Sequence, residues 1–140
     1  MKKVLLGFII FCFVHTRAQD YRIYHAYINN AERCFFLQNK ADSAFAYYDR
    51  AFADFDFVFV QDCFMAAQIA CYTGNSKYVS YLKKGFKNGL RPQHLKGSVV
   101  FYACIKDSIT FSNKFPDYQT LRNNYLKRIN AKVLKQFIQH

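Results

Sequence analysis

Cysteine is the residue in this chain whose spacing invites the most chemistry. Beyond residue 18 there are four cysteines, Cys34, Cys63, Cys71 and Cys104. A thiol can pair into a disulfide, ligate a metal or act as a nucleophile, depending on its neighbours and its pKa. Cys63 and Cys71 are eight residues apart in a run with helical periodicity. A helix separates such residues by about 12 Å along its axis, which excludes a disulfide between these two.

Histidine shows no pattern that would build a metal site. His25, His94 and His140 are far apart, and none has a second ligand three or four residues away. The chain also has no glycine-rich phosphate loop, no Gly-x-Ser-x-Gly elbow and no arrangement that suggests a Ser/His/Asp triad. We therefore predict no metal, no cofactor and no enzymatic activity.

Carboxylates cluster in one stretch, at Asp54, Asp56 and Asp62. Two carboxylates with well-separated pKa values could act as a general acid and a general base. A turn between two helices favours the same residue type, because Asp side chains bond to backbone N–H groups in turns and helix caps. We interpret this cluster as turn and cap residues.

The first 18 residues have the pattern of a secretory signal peptide. Lys2 and Lys3 precede eleven residues, 4–14, that are apolar except for one glycine. Small residues at the −3 and −1 positions predict cleavage between Ala18 and Gln19. The apolar run is far shorter than the roughly 20 residues that span a bilayer, so we prefer cleavage to the alternative of an uncleaved anchor. Residues 19–140 would then be exported, as a periplasmic or secreted protein.

Charge is distributed unevenly over residues 19–140. Residues 19–62 contain four basic and seven acidic side chains, a net charge of −3, whereas residues 63–140 contain thirteen and two, a net charge of +11. A basic half can bind nucleic acid, anionic lipid or an acidic protein, but export argues against nucleic acid. The simpler interpretation is that the lysines keep an aromatic-rich chain soluble.

Hydrophobic residues recur at helical spacing through most of the chain. Residues 57–60 would also suit a strand, but a lone strand has no partner, so we assign them to a helix. Gly74 and Gly89 are predicted to end helices in the left-handed conformation. The predicted helices span residues 21–37, 41–55, 57–72, 76–88, 92 to about 106–108, and 117–139.

Two of these helices repeat one pattern of small and bulky residues. The runs ADSAFAYYDRAF, residues 41–52, and NSKYVSYLKKGF, residues 75–86, match in order. Helix pairs of this size cannot bury their apolar faces singly, whereas stacked pairs share one core. The fold class that follows is all-α, with antiparallel helix-pair repeats in units of about 24–57, 58–91 and 92–110. The matching positions are Ala44 and Tyr78, Tyr48 and Leu82, Ala51 and Gly85, and Phe52 and Phe86.

The spacing of Ala44, Tyr48 and Ala51 resembles the second helix of a tetratricopeptide repeat, which favours small, aromatic and small residues at these intervals. The resemblance covers about residues 24–106 and extends to exported tetratricopeptide-like proteins of Gram-negative envelopes. It implies a right-handed stack that binds a protein or peptide in a concave groove lined by first helices. Arg33 could anchor a peptide carboxylate there, although the simpler interpretation is an ordinary surface arginine. The implied groove residues are Asn29, Arg33, Phe36, Cys63, Ala67 and Phe101.

The packing implied by this resemblance also bears on the cysteines. It puts Cys71 and Cys104 at nearly equivalent positions of adjacent first helices, which makes theirs the least implausible disulfide. Helix axes about 8 to 10 Å apart rarely bring two Cα atoms close enough for a bridge. We therefore expect all four cysteines to be small buried side chains.

The last predicted helix, residues 117–139, combines an apolar stripe with basic residues. A stack of repeats needs a terminal cap with one polar face, and we predict this role for the helix, with Asp117 as its N-cap. The alternative is a basic amphipathic helix that lies on an anionic membrane surface. The predicted basic face comprises Arg122, Lys127, Arg128, Lys132 and Lys135.

These observations predict an exported helical-repeat scaffold that mediates protein–protein interaction in the cell envelope, without catalysis. The alternative is an envelope protein that associates with a membrane or polyanion through its basic C-terminal half. The two differ in their salt dependence, because ionic strength screens electrostatic binding far more than it weakens the burial of aromatic side chains.

Overall fold

The computed structural model describes residues 20–106 and 108–138, and every regular element within them is an α-helix. The all-α prediction is confirmed for these residues. The predicted signal peptide lies outside the described residues, so its cleavage stays a prediction. The helices of the described residues are α1 Tyr21–Phe36, α2 Ala41–Asp54, α3 Val60–Tyr72, α4 Lys77–Lys87, α5 Gln93–Lys96, α6 Val99–Cys104, α7 Ser108–Lys114 and α8 Tyr118–Ile138.

The first four helices form two closely packed pairs. α1 packs along α2, and α3 packs along α4. Turns of four residues, 37–40 and 73–76, join the members of each pair, and such short connections make paired helices antiparallel. Buried apolar side chains continue from one pair to the other, so the two pairs share a single core.

Small residues allow the helices of this core to approach closely. Ala66 and Ala67 of α3 are fully buried. A Cβ atom added at Gly85 of α4 would lie 3.3 Å from the Cys63 Cβ and 2.9 Å from the Leu90 Cδ2. A larger side chain at this contact would push α3 and α4 apart, since protein interiors are close-packed.

The predicted C-caps at Gly74 and Gly89 are confirmed. Their φ angles are 70° and 104°, in the left-handed region that glycine adopts without steric cost. After Gly74, the Asn75 N–H donates to the Ala70 carbonyl at 2.7 Å, and the equivalent bond after Gly89, from the Leu90 N–H, is 2.9 Å long. These are Schellman bonds, which satisfy carbonyl groups at the helix end.

The helical assignment of residues 57–59 is wrong. α3 begins at Val60, and Phe59 is extended, with φ −76° and ψ 136°. The Tyr24 hydroxyl of α1 accepts a hydrogen bond from the Phe59 N–H at 3.2 Å and donates one to Asp62 Oδ2 at 2.7 Å. A side chain distant in sequence therefore satisfies the start of α3, where the local sequence supplies no capping side chain.

The predicted fifth helix is replaced by two short ones. α5 has four residues and α6 has six, and Gly97 and Ser98 separate them. Ser98 is extended, and its Oγ accepts a hydrogen bond from Gln68 Nε2 at 3.0 Å. This bond to α3 holds the break in place. Of the two short helices, α6 is the one that packs closely against α3.

The expectation of four unpaired cysteines is wrong for two of them. Cys71, near the end of α3, and Cys104, the last residue of α6, form a disulfide with their Cα atoms 6.2 Å apart. α6 is only six residues long and packs directly on α3, so its end can approach more closely than two full-length helices allow. Cys34 and Cys63 are free and buried, as expected.

The long C-terminal helix is confirmed as α8, but it covers the core only near its start. Leu121 is buried, whereas Leu126, Ile129 and Val133 are exposed. α8 has 21 residues and packs mainly against α4, which has 11. The prediction that this helix caps the core is therefore partly wrong, because its apolar stripe extends beyond α4, the helix against which it packs.

An aromatic cluster attaches the last two helices to α4. The Phe86 ring lies 6.0 Å from the Phe111 ring, 5.2 Å from the Phe115 ring and 5.0 Å from the Tyr118 ring, measured between centroids. All three pairs meet edge to face, the geometry that aromatic rings prefer. Phe111 lies within α7, a helix in a stretch between residues 108 and 117 where the sequence predicted none.

Candidate functional site

An open cleft of about 450 Å³ lies where α1, α3 and α6 meet. We call it the partner cleft. Its two most exposed aromatic side chains are Phe36, with 60% of its surface accessible, and Tyr72, with 75%. Exposed apolar side chains that lie together can mark a binding site, whereas single ones are common on protein surfaces. The partner cleft is lined chiefly by Phe35, Phe36, Met65, Gln68, Tyr72 and Val100.

The walls of the partner cleft are fixed by specific contacts. The Phe35 ring packs edge to face against Phe36 and Tyr72, at centroid distances of 5.0 Å and 6.3 Å. The Cys71–Cys104 disulfide, directly beside Tyr72, ties α3 to α6. The three helices are thus connected through aromatic packing on one side and a covalent bond on the other.

The structure brings together only part of the predicted groove. Phe36 lines the partner cleft. Asn29 and Arg33 are exposed on the same side of α1 as Phe36, since residues three and four apart share a helix face. Cys63, Ala67 and Phe101 are almost completely buried, so the prediction that they line the groove is wrong.

The error is one of helix register. α3 lies between other helices, and its small residues face them: Cys63 approaches Gly85 of α4. The exposed side of α3 instead carries Met65, Gln68 and Tyr72, at spacings of three and four. The sequence did contain a signal for this face, because Gln68 is a polar residue in an otherwise mostly apolar helix.

A partly buried polar cluster lies between α1, α2 and α3 and comprises Tyr24, Glu32, Tyr48 and Asp62. Burial raises the pKa of Asp62, although the hydrogen bond from Tyr24 opposes this shift. Burial, and then the charge of Asp62, raises the pKa of Glu32. Burial, followed by the charges of Glu32 and Asp62, raises the pKa of Tyr48, whose hydroxyl is enclosed without a hydrogen-bond partner among the described residues.

This cluster has some of the features of an acid–base site, but its geometry is structural. Tyr24 occupies one oxygen of Asp62 and connects it to the start of α3. Burial raises the pKa of the neighbouring Cys63 thiol to about 12, so this cysteine is not a thiolate nucleophile at neutral pH. Asp62 lies in the first turn of α3, but Phe59 is the N-cap residue and Asp62 accepts its hydrogen bond from Tyr24, so the interpretation as a cap residue is wrong for Asp62.

Only three of the five basic residues predicted to share one face of α8 do so: Arg128, Lys132 and Lys135, at spacings of four and three. Successive residues are rotated by about 100°, so Arg122, Lys127 and Arg128 lie on three different sides of the helix. Arg128 is directed towards α4: its Nη2 donates to the Lys87 carbonyl at 3.0 Å, and its guanidinium lies 5.8 Å from the centre of the Tyr125 ring. All five residues are exposed, and they are distributed along α8: Arg122, Lys127, Arg128, Lys132 and Lys135.

Two other kinds of site are absent from the part of the chain that the structure describes. The described residues contain no cluster of three or more His, Cys, Asp or Glu side chains placed to hold a metal ion. Among residues 20–106 and 108–138, no helix combines the length and the apolar character of a membrane span. Compared with known protein families, curated proteins and solved structures, the chain has no match.

Proposed function

We propose that this chain is an exported helical-repeat scaffold, similar to tetratricopeptide-repeat proteins, that binds a protein or peptide through the partner cleft. The observation that carries the proposal is the pair of exposed aromatic residues, Phe36 and Tyr72, on a rigid apolar cleft. Aromatic side chains are the most frequent energetic anchors of protein interfaces. A scaffold of this kind requires no catalysis.

The repeat architecture draws support from the second helices α2 and α4. Positions that match at the 34-residue interval are buried in both helices. In a right-handed stack, the faces of first helices that are left uncovered line the concave side. The exposed sides of α1 and α3 meet at the partner cleft, which is consistent with that arrangement.

A peptide would use two kinds of contact in this site. Apolar side chains would fill the partner cleft between Phe36 and Tyr72, and the exposed guanidinium of Arg33 would bind a carboxylate of the partner. Arg33 forms no ion pair among the described residues, so its charge is available.

Export is supported by the cysteine pairing as well as by the leader. Disulfides persist in oxidising compartments such as the periplasm and the extracellular space. The Cys71–Cys104 disulfide therefore fits a periplasmic or secreted location, and we propose no nucleic-acid partner.

The proposal is tested by affinity capture from an envelope extract of the source cells. The immobilised protein is compared with the double variant Phe36→Ser/Tyr72→Ser at low and moderate salt, and retained proteins are identified by mass spectrometry. A matched control, Ile23→Ser/Ile138→Ser, removes two exposed apolar side chains elsewhere. We expect one stoichiometric partner that survives moderate salt, is lost by the cleft variant and is retained by the control.

The competing proposal is that the basic C-terminal half binds an anionic membrane or polyanion. It is favoured by α8, where Leu126, Ile129 and Val133 are exposed among basic residues. The same experiment separates the two proposals. Heterogeneous acidic material that dissociates as salt rises, and is retained equally by the cleft variant, would favour the basic half and contradict the scaffold.

A further inference from the structure

A second cavity, of about 470 Å³, opens between α5, α6 and α7. It shares no lining residue with the partner cleft. Its volume lies within the range of small-molecule binding sites. Four apolar side chains form most of its wall, namely Leu95, Phe101, Ile105 and Phe111. Leu95 and Phe101 are anchored in the core, with 7% and 1% of their surfaces accessible, so this wall is preformed.

The cavity exists because the third unit is built from short helices. In the first two pairs, a second helix packs along the full first helix. After α6, the chain continues into α7, which has only seven residues and whose Phe111 turns towards Phe86 of α4. Tyr102, with 70% of its surface accessible, and Ile105 are therefore left facing an open space instead of a paired helix.

Two lysines stand at the rim of this cavity. Lys96 and Lys106 line it, and both side chains are exposed. No carboxylate among the described residues forms an ion pair with either ammonium group. The segment from Arg91 to Lys106 contains three Lys or Arg residues and no Asp or Glu. Among the described residues, the cavity thus combines an apolar wall with a positive rim, and we call it the lysine-rimmed pocket.

We propose that the lysine-rimmed pocket binds a small amphipathic anion of the fatty-acid class. The apolar chain lies against Tyr102, Ile105 and Phe111, and the carboxylate lies between Lys96 and Lys106. Apolar burial supplies most of the affinity, while the two lysines select an anion over a neutral or cationic molecule with the same chain. This activity is independent of the partner cleft and of the proposed scaffold function.

Calorimetric titration of the full-length protein tests this proposal. The probe is decanoate at concentrations at which it is monomeric, and decyltrimethylammonium is the comparison, because it has the same chain length and the opposite charge. The variant is Lys96→Gln/Lys106→Gln. The matched control, Lys40→Gln/Lys87→Gln, removes two exposed lysines that do not line the pocket.

We expect decanoate to bind saturably at one site, and the cation to bind about tenfold more weakly or not at all. The Kd for decanoate should rise about tenfold in Lys96→Gln/Lys106→Gln and change less than about twofold in the control. Equal binding of the anion and the cation, an unchanged Kd in the pocket variant, or no saturable binding of decanoate would each overturn the proposal. Far-UV circular dichroism of each variant establishes that the helices are intact.

Discussion

The two halves of the described structure are held together differently. In residues 20–90, helices of 11 to 16 residues pack along their length around a continuous core. In residues 91–138, most helices have four to seven residues, and the longest projects away from the core. The buried side chains of this second half, among those described, are Leu95, Phe101, Phe115 and Leu121.

The second half therefore relies on a few attachments to the first. These are the Cys71–Cys104 disulfide, the aromatic cluster around Phe86, and the Arg128 hydrogen bond to the Lys87 carbonyl. Apolar burial is the dominant stabilising contribution in folding, and it is concentrated in the first half. We infer that the second half opens locally at a lower free energy than the first.

A matched pair of core truncations tests this difference most strongly. Phe45 and Phe115 have 3% and 2% of their surfaces accessible, but lie in different halves. Replacing either with alanine should cost about 3–5 kcal/mol locally. Phe45→Ala should lower the global free energy of unfolding, measured in urea. Phe115→Ala should increase hydrogen exchange in residues 91–138 and leave the slowest amides of α1 to α4 protected. Equal loss of protection in both halves would contradict the division.

Removal of the disulfide is the next largest effect. The bond closes a loop with a sequence separation of 33, for which chain entropy predicts about 3–4 kcal/mol of stabilisation. Cys71→Ser/Cys104→Ser should therefore lower the unfolding free energy by that amount and speed exchange in α6 before α1. Cys34→Ala is the control, since Cys34 is a free buried cysteine. If the control destabilised the chain as much as the double variant, small-residue packing would outweigh the cross-link.

The division also explains what the sequence could predict of the fold. α1, α2 and α4 each have a clear apolar face, and α3 is apolar on most sides; the predicted ends of these four helices agree with the structure within about three residues. The exceptions depend on distant side chains. Residues 57–59 are non-helical where the Tyr24 hydroxyl binds the Phe59 N–H, and the break before α6 is held by the bond from Gln68 to Ser98. Neither contact is visible in a local pattern.

The candidate site was predictable to a smaller extent. Shifting the groove positions of α1 by 34 residues gave Cys63 and Ala67, whereas the residues of α3 that line the partner cleft include Met65 and Gln68, which are partly exposed. The rotation of a central helix depends on neighbours on several sides, which periodicity alone does not determine. The pairing of Cys71 with Cys104 was missed for a related reason, because the shortness of α6 could not be inferred from its sequence.

Gly89 lies at the junction between the two halves, and Gly74 lies in a turn inside the first half, so their replacement compares the two places. Both have positive φ, but a Cβ at Gly89 would lie 2.7 Å from the Tyr125 ring, whereas one at Gly74 would meet no atom within 4 Å. Gly74→Ala should cost about 1 kcal/mol from backbone strain alone. Gly89→Ala should cost more, up to about 3 kcal/mol, because α8 must also move. Thermal unfolding measures both, and equal costs would mean that Tyr125 yields freely.

The smallest expected effect concerns pH and lies within the first half. Burial, and then the charge of Asp62, raises the pKa of Glu32 in the folded state, so the folded chain binds a proton more tightly there than the unfolded chain. The ionised carboxylate therefore destabilises the fold at neutral pH, and this penalty disappears as the pH falls through the folded-state pKa. Glu32→Gln should raise the unfolding temperature at pH 7.

The pH dependence of this gain identifies its cause. The difference between Glu32→Gln and the unmodified chain should shrink as the pH falls towards the ordinary pKa of glutamate, because both proteins are then neutral at this position. Asp42→Asn, which removes an exposed carboxylate from the first turn of α2, should give no such gain at pH 7. A pH-independent gain in Glu32→Gln would instead mean that altered packing, rather than the buried charge, limits the stability of the α1–α3 contact.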